Sequence, residues 1–287
     1  MREQPAGPAP LREDAPPPRP LPWRLEDVGI DAVDAAGVRD DETLFYLLVS
    51  ASFIETASDL YTRNLLEYYG ADPDASDWLV NHWEHEEIQH GRALRAYVAA
   101  VWPAFDWAEA NRRFFAEYSR SATPDAFERS PALELAARCM IETGTATYYR
   151  MLHDYATEPV LKRILHHIRS DEVRHFKHFL AYFRAYEARE RNGRLRTLVA
   201  LARRVREATG DDGWIAFRHA FEVRRPGRAC TREDYAAWMA KINRLARASY
   251  PFKMAAEMLL SPLALRGRLR DLVARALAAG MRRFMFA

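Results

Sequence analysis

Glu87-Ile88-Gln89-His90 and Glu172-Val173-Arg174-His175 are one four-residue phrase, Glu-x-x-His, written twice 85 residues apart. Residues three apart on a helix share a face, so each phrase aims a carboxylate and an imidazole in one direction. Two such helices facing each other supply half of a carboxylate-bridged dinuclear metal site. One Glu from each of two further helices completes it. Glu55 stands upstream of the first phrase and Glu142 upstream of the second. The expectation is an all-α chain, a four-helix bundle whose metal ligands are Glu55, Glu87, His90, Glu142, Glu172 and His175.

Periodicity places each candidate on its own helix. A first helix is expected from about Asp41 to Tyr69, stopped by Gly70, with Leu48, Ser52, Glu55, Asp59 and Thr62 inward. The second runs from about Ala75 to Trp102, ahead of Pro103, and puts Val80, Trp83, Glu87, His90, Leu94 and Tyr97 on one stripe. A shorter amphipathic segment, Asp106 to Arg120, crosses to the second half. Ser130-Pro131 starts a third helix reaching about Tyr155, with Leu135, Cys139, Glu142, Thr145 and Tyr149 inward. Glu158-Pro159 opens a fourth that ends at Asn192-Gly193 and buries Leu161, Leu165, Ile168, Glu172, His175, Phe179 and Tyr182. Glu55 and Glu87 lie 32 residues apart, Glu142 and Glu172 30 apart. Those intervals suit two helix–turn–helix pairs whose ligands meet at one depth.

Around this core the chain divides three ways. Residues 1–23 hold eight of the sixteen prolines and read as a disordered leader without chemistry of its own. Residues 24–193 make the bundle. Residues 194–287 read as a basic helical extension packed on it. The net charge of +2 conceals a contrast: residues 1–190 carry 21 Lys/Arg against 32 Asp/Glu, residues 191–287 carry 21 against 8. An acidic partner, an anionic surface, or an arm packed on the acidic half of its own chain would each explain it. The last helix, near Leu263–Phe286, is basic and amphipathic. It either lies weakly on anionic lipid or packs on the bundle with its arginines outward. Two cysteines give no disulfide framework, and there is neither a membrane-spanning apolar run nor a signal-peptide pattern, so a cytoplasmic protein is expected.

A mixed carboxylate–imidazole set suits iron or manganese, whereas zinc favours Cys and His and calcium favours oxygen alone. Four unpaired carboxylates on buried stripes would be costly, and two divalent cations remove that cost. Glu86 and Asp171 each precede a ligand Glu by one residue and a His by four. They suit acceptors for the outer N–H of a ligating imidazole, or are exposed acids. His85, His166, His167 and His178 fall off the stripes and read as surface or bundle-edge groups.

The second helix, Trp83-x-x-Glu86-Glu87-x-x-His90-Gly91-x-x-Leu94-x-x-Tyr97, resembles a run in the soluble acyl-carrier-protein desaturases, members of the ferritin-like di-iron proteins. Ile168-x-x-Asp171-Glu172-x-Arg174-His175 and Glu142-Thr143-Gly144-Thr145 are similar to two further motifs of that family. The resemblance covers about residues 41–190. It implies a ferritin-like bundle holding two Fe ions (a Mn/Fe pair would suit the same ligands), with Thr145 a hydroxyl on the oxygen-binding side. On helix spacing alone Thr145 could equally be a small polar core residue. The implied function is an O2-activating oxidoreductase, desaturase- or oxygenase-like, acting on an unactivated carbon of a small molecule or carrier-bound acyl chain. Electrons would come from an external donor, a separate reductase or ferredoxin, since no flavin or Fe–S motif is present. A homodimer is admitted and no nucleic-acid partner is expected. The alternative is iron or peroxide handling without an organic substrate, as in ferritins and rubrerythrins, although no rubredoxin-like Cys pair is present.

Overall fold

The computed structural model describes residues 19–120, 127–207 and 211–285, and every regular element among them is helical. Three short 3-10 turns between Leu25 and Gly37 lead into α1 (Glu42–Thr56), α2 (Ser58–Tyr69), α3 (Pro73–Trp78) and α4 (Glu84–Val101). Next come α5 (Trp107–Tyr118), α6 (Pro131–Tyr155) and α7 (Pro159–Glu190). The basic region folds as α8 (Gly193–Glu207), α9 (Asp212–Arg224), α10 (Arg232–Ser249), α11 (Phe252–Leu260) and α12 (Gly267–Phe284).

The expected start signals act as expected. Ser130 accepts from the Leu133 N–H ahead of Pro131, and Glu158 accepts from Val160 and Leu161 ahead of Pro159. The first expected helix departs from one continuous element. It breaks at Ala57 into α1 and α2, where Ser52 and Thr56 turn their hydroxyls back onto the carbonyls of Val49 and Ser52. The second is also interrupted: Leu79–Trp83 forms a π turn between α3 and α4. That extra residue shifts the register, so Leu79 is buried and the expected Val80 is only half-buried.

Two antiparallel pairs build the centre, α1 on α4 and α6 on α7. Between α6 and α7, small Ala132, Ala136 and Ala146 leave room for Phe176, Phe179 and Phe183 of the longer helix. Each fully buried side chain of that size contributes about 1.5–3 kcal/mol. Gly91 of α4 lies so close to α1 that a Cβ there would stand 2.4 Å from Thr56 Oγ1 and 2.9 Å from Thr56 N. This contact holds the end of α1, and with it Glu55, against α4.

The basic region packs on this centre. Phe217, Phe221 and Trp238 of α9 and α10 join Tyr46 of α1 in the main apolar cluster. Ion pairs then cross between the oppositely charged halves: Arg203–Glu128, Arg204–Glu134, Arg218–Glu117 and Arg225–Glu42. Glu134, fully buried, also takes the Arg138 guanidinium and the Glu128 N–H, which offsets its desolvation. Part of the charge contrast is thus answered within the chain. Among the described residues, no helix is long and apolar enough to cross a membrane.

Most of the Pro-rich leader lies outside the described residues, but its last residue departs from the expectation. Trp23 is buried and bonded into the site described next, so the segment 1–23 does carry a contact that matters.

Candidate metal centre

Glu55 comes from the last turn of α1, Glu87 and His90 from α4, Glu142 from the middle of α6, and Glu172 and His175 from α7. All six side chains are buried. They form two groups, Glu55–Glu87–His90–Glu172 and Glu87–Glu142–Glu172–His175, each with donor atoms within 4.8 Å of one another. Glu87 and Glu172 belong to both. Such buried groups could hold metal ions, and the shared pair would contribute to both.

The imidazoles point their Nδ1 atoms inward. His90 Nδ1 stands 3.2 Å from Glu172, 3.7 Å from Glu55 and 3.9 Å from Glu87. His175 Nδ1 stands 2.9 Å from Glu87, 3.7 Å from Glu142 and 3.9 Å from Glu172. Among the described residues neither Nδ1 has a hydrogen-bond partner, nor do Glu142 Oε2 and Glu172 Oε1. Four buried, convergent, unpartnered donor atoms are what a cation would satisfy.

The outer nitrogens explain why Nδ1 is free. His90 Nε2 lies 2.9 Å from Asp171 and His175 Nε2 lies 2.8 Å from Glu86. A carboxylate only accepts, so both Nε2 atoms carry hydrogen, and Nδ1 is the atom that would offer its lone pair to a cation once its own proton is displaced. The acceptors are crossed between helices. Glu86 of α4 serves the histidine of α7, and Asp171 of α7 serves the histidine of α4. Their spacing suits acceptors for a ligating imidazole or exposed acids, and does not say which helix carries the imidazole; Asp171 is buried, and Glu86 shares its carboxylate with Arg174 as well. Asp171 further accepts from the Trp23 indole at 2.7 Å and pairs with Arg174. Gln89 in turn donates to the Trp23 carbonyl, fixing that residue in place.

Two more side chains orient the carboxylates. Thr145, half-buried, donates to Glu172 at 2.6 Å. Tyr149, one further turn along α6, donates to Glu55. The stripe of α6 placed Tyr149 inward; its bond to Glu55 depends on how α6 meets α1, which spacing does not encode. Trp23 gave a weaker signal, a single large aromatic at the edge of a Pro-rich stretch.

Without cations the cluster must hold protons. Burial pushes Glu142 up to about 8. Burial, then the charges of Glu172 and Glu55, raises Glu87 well above the carboxylate range. Burial alone would lower His90 and His175, but the surrounding carboxylates outweigh it and raise both well above the usual histidine value. Asp171 moves the other way, to about 2: burial opposes this, but the bonds from His90 and Trp23 and the Arg174 charge hold it ionised. Cations entering the cluster would displace those protons.

A cavity of about 300 Å³ opens against this centre. One wall is Glu55, Glu87, Glu142, Glu172 and Thr145. Apolar and aromatic side chains, among them Ile54, Tyr61, Trp83, Tyr118 and Ile141, also line it, together with Ser58, Asn64, Arg138, Arg204, Glu207 and Asp212. His85, His166, His167 and His178 join neither donor group; His167 stacks on Trp23 and His178 on Trp78. Cys139 and Cys230 are free thiols. No protein-family model matches the chain, and no curated protein matches it in sequence.

Proposed function

We propose that the chain is a ferritin-like, di-iron oxidoreductase that uses O2 to oxidise an organic molecule. The observation that carries this reading is the apolar cavity against the carboxylate face, where Thr145 also lies. An enzyme acting on an unactivated carbon must bind its substrate close to the metals and away from water, and the apolar part of this lining offers such a place. The six donors, four carboxylates and two imidazoles, fit two iron ions in charge and in ligand type. Bound iron would supply the oxidising chemistry. This chain's residues would hold and orient it: Asp171 and Glu86 through the imidazoles, Tyr149 and Thr145 through Glu55 and Glu172. Electrons would come from a separate protein donor. A hydrocarbon portion of a small or carrier-bound acyl substrate suits the cavity's aromatic wall.

Anaerobic loading with ferrous iron followed by O2 tests the reading. It should give the near-ultraviolet absorption of a diferric pair, lost along with bound iron in Glu142→Ala. Mass spectrometry of compounds that co-purify with the protein should then identify a molecule consumed on turnover. Rapid peroxide consumption with no organic substrate changed would instead favour the iron- or peroxide-handling reading.

A further inference from the structure

We propose that the outward faces of α8 and α12 form a docking surface for an anionic lipid bilayer. Both helices bury some apolar side chains and expose others. The inner side of α8 buries Thr197, Ala200 and Leu201, while Leu195, Leu198, Val199 and Val205 point outward, Leu195 76 % exposed. On α12, Val273, Ala274 and Leu277 face the small cluster around Leu201, Leu260 and Leu263. Leu269, Leu272 and Phe284 stay outside it, 56, 61 and 71 % exposed. Two helices bordering one cluster therefore each leave apolar side chains with no protein over them among the described residues.

Charge selects the occupant. Residues 193–207 hold five arginines and one acid, and residues 267–284 again five and one. Arg203 and Arg204 pair inward, but Arg196, Arg268 and Arg270 make no ion pair among the described residues. A second copy of the chain would bring arginine fringe against arginine fringe. An acidic protein would answer the arginines but leave the leucines without a reason. A bilayer answers both: leucine and phenylalanine enter the acyl boundary while arginine stems lie alongside and their heads stay at the phosphates. The net negative charge of residues 1–190 is repelled by such a surface and the positive residues 191–287 are drawn to it, so the molecule is oriented before contact.

Flotation of the full chain with phosphatidylcholine vesicles, with and without phosphatidylglycerol, tests this. Binding is expected only to the anionic vesicles and should weaken with added salt. The triple variant Leu269→Ser, Leu272→Ser, Phe284→Ser should bind about tenfold or more weakly with unchanged helicity and Tm, because all three side chains are exposed. Arg268→Gln with Arg270→Gln should cost about fivefold per arginine. Three results would overturn the proposal: no flotation at low salt; serine and wild-type chains binding alike, to vesicles or to polyglutamate; or a wild-type dimer in sedimentation equilibrium that the serine variant splits.

Discussion

Asp171→Asn should weaken one metal position and leave the other nearly intact. The Asp171 carboxylate is 1 % exposed and accepts from His90 at 2.9 Å and from Trp23 at 2.7 Å, with Arg174 alongside. Asparagine keeps the shape but removes the charge, so charge-assisted bonds become neutral ones. The difference is about 1 kcal/mol per bond. Two bonds are affected, both on one oxygen, and asparagine must turn its N–H toward Arg174, which held the other. A loss of about 10–100-fold in affinity follows, the range typical of such outer partners. It should fall on the group Glu55–Glu87–His90–Glu172, whose histidine Asp171 orients. Glu86→Gln should do the same to the group holding His175. Competition titrations of ferrous or manganous ion against a chromophoric chelator would resolve two steps, each variant shifting a different one. If both variants weaken the same step, or neither shifts any, the crossed arrangement is wrong.

Three further outcomes are expected. Gly91→Ala places a methyl against Thr56 beside Glu55, and overpacking of this kind costs about 1–3 kcal/mol; urea unfolding should report the loss and metal analysis a lowered content, while unchanged values in both would refute the close contact. Thr145→Val removes the hydroxyl that donates to Glu172 and should cost about 1 kcal/mol while leaving the metal content unchanged, but should lower turnover on any substrate found; unchanged turnover would remove Thr145 from the site's working parts. Metal-free protein should lose stability as pH rises: Glu142 has its folded value raised to about 8 from 4.5, so its contribution is full below 4.5 and lost as pH rises through about 8, and the raised His90 and His175 act in the same sense. Thermal melts against pH should show that fall in the metal-free protein and a smaller one once metal is bound, because bound cations hold the carboxylates ionised.

The helical class and the six clustered donors were legible because they rest on local rules. A three-residue spacing defines a helix face, Ser130-Pro131 and Glu158-Pro159 define starts, and matched 32- and 30-residue intervals define depth. What escaped depends on how elements meet. The break at Ala57 follows from hydroxyls folding back on α1, and the π turn at Leu79–Trp83 left no mark in the apolar pattern. The crossing of Glu86 and Asp171 arises because α4 and α7 face each other, so each histidine reaches the acid of the opposite helix. Trp23 was hidden by composition: prolines dominate its neighbourhood, and only the folded chain brings it 148 positions onward to Asp171. The basic region reads differently again. Its arginines were conspicuous, but which of them pair with the acidic half and which stay free is settled by packing alone.

Anomalous scattering at the iron edge from crystals of iron-loaded protein bears most directly on the central claim. Two peaks are expected, one between His90 and Glu55 and one between His175 and Glu142, with Glu87 and Glu172 reaching both. A single peak elsewhere, or none among these six residues in crystals grown with excess iron, would contradict it.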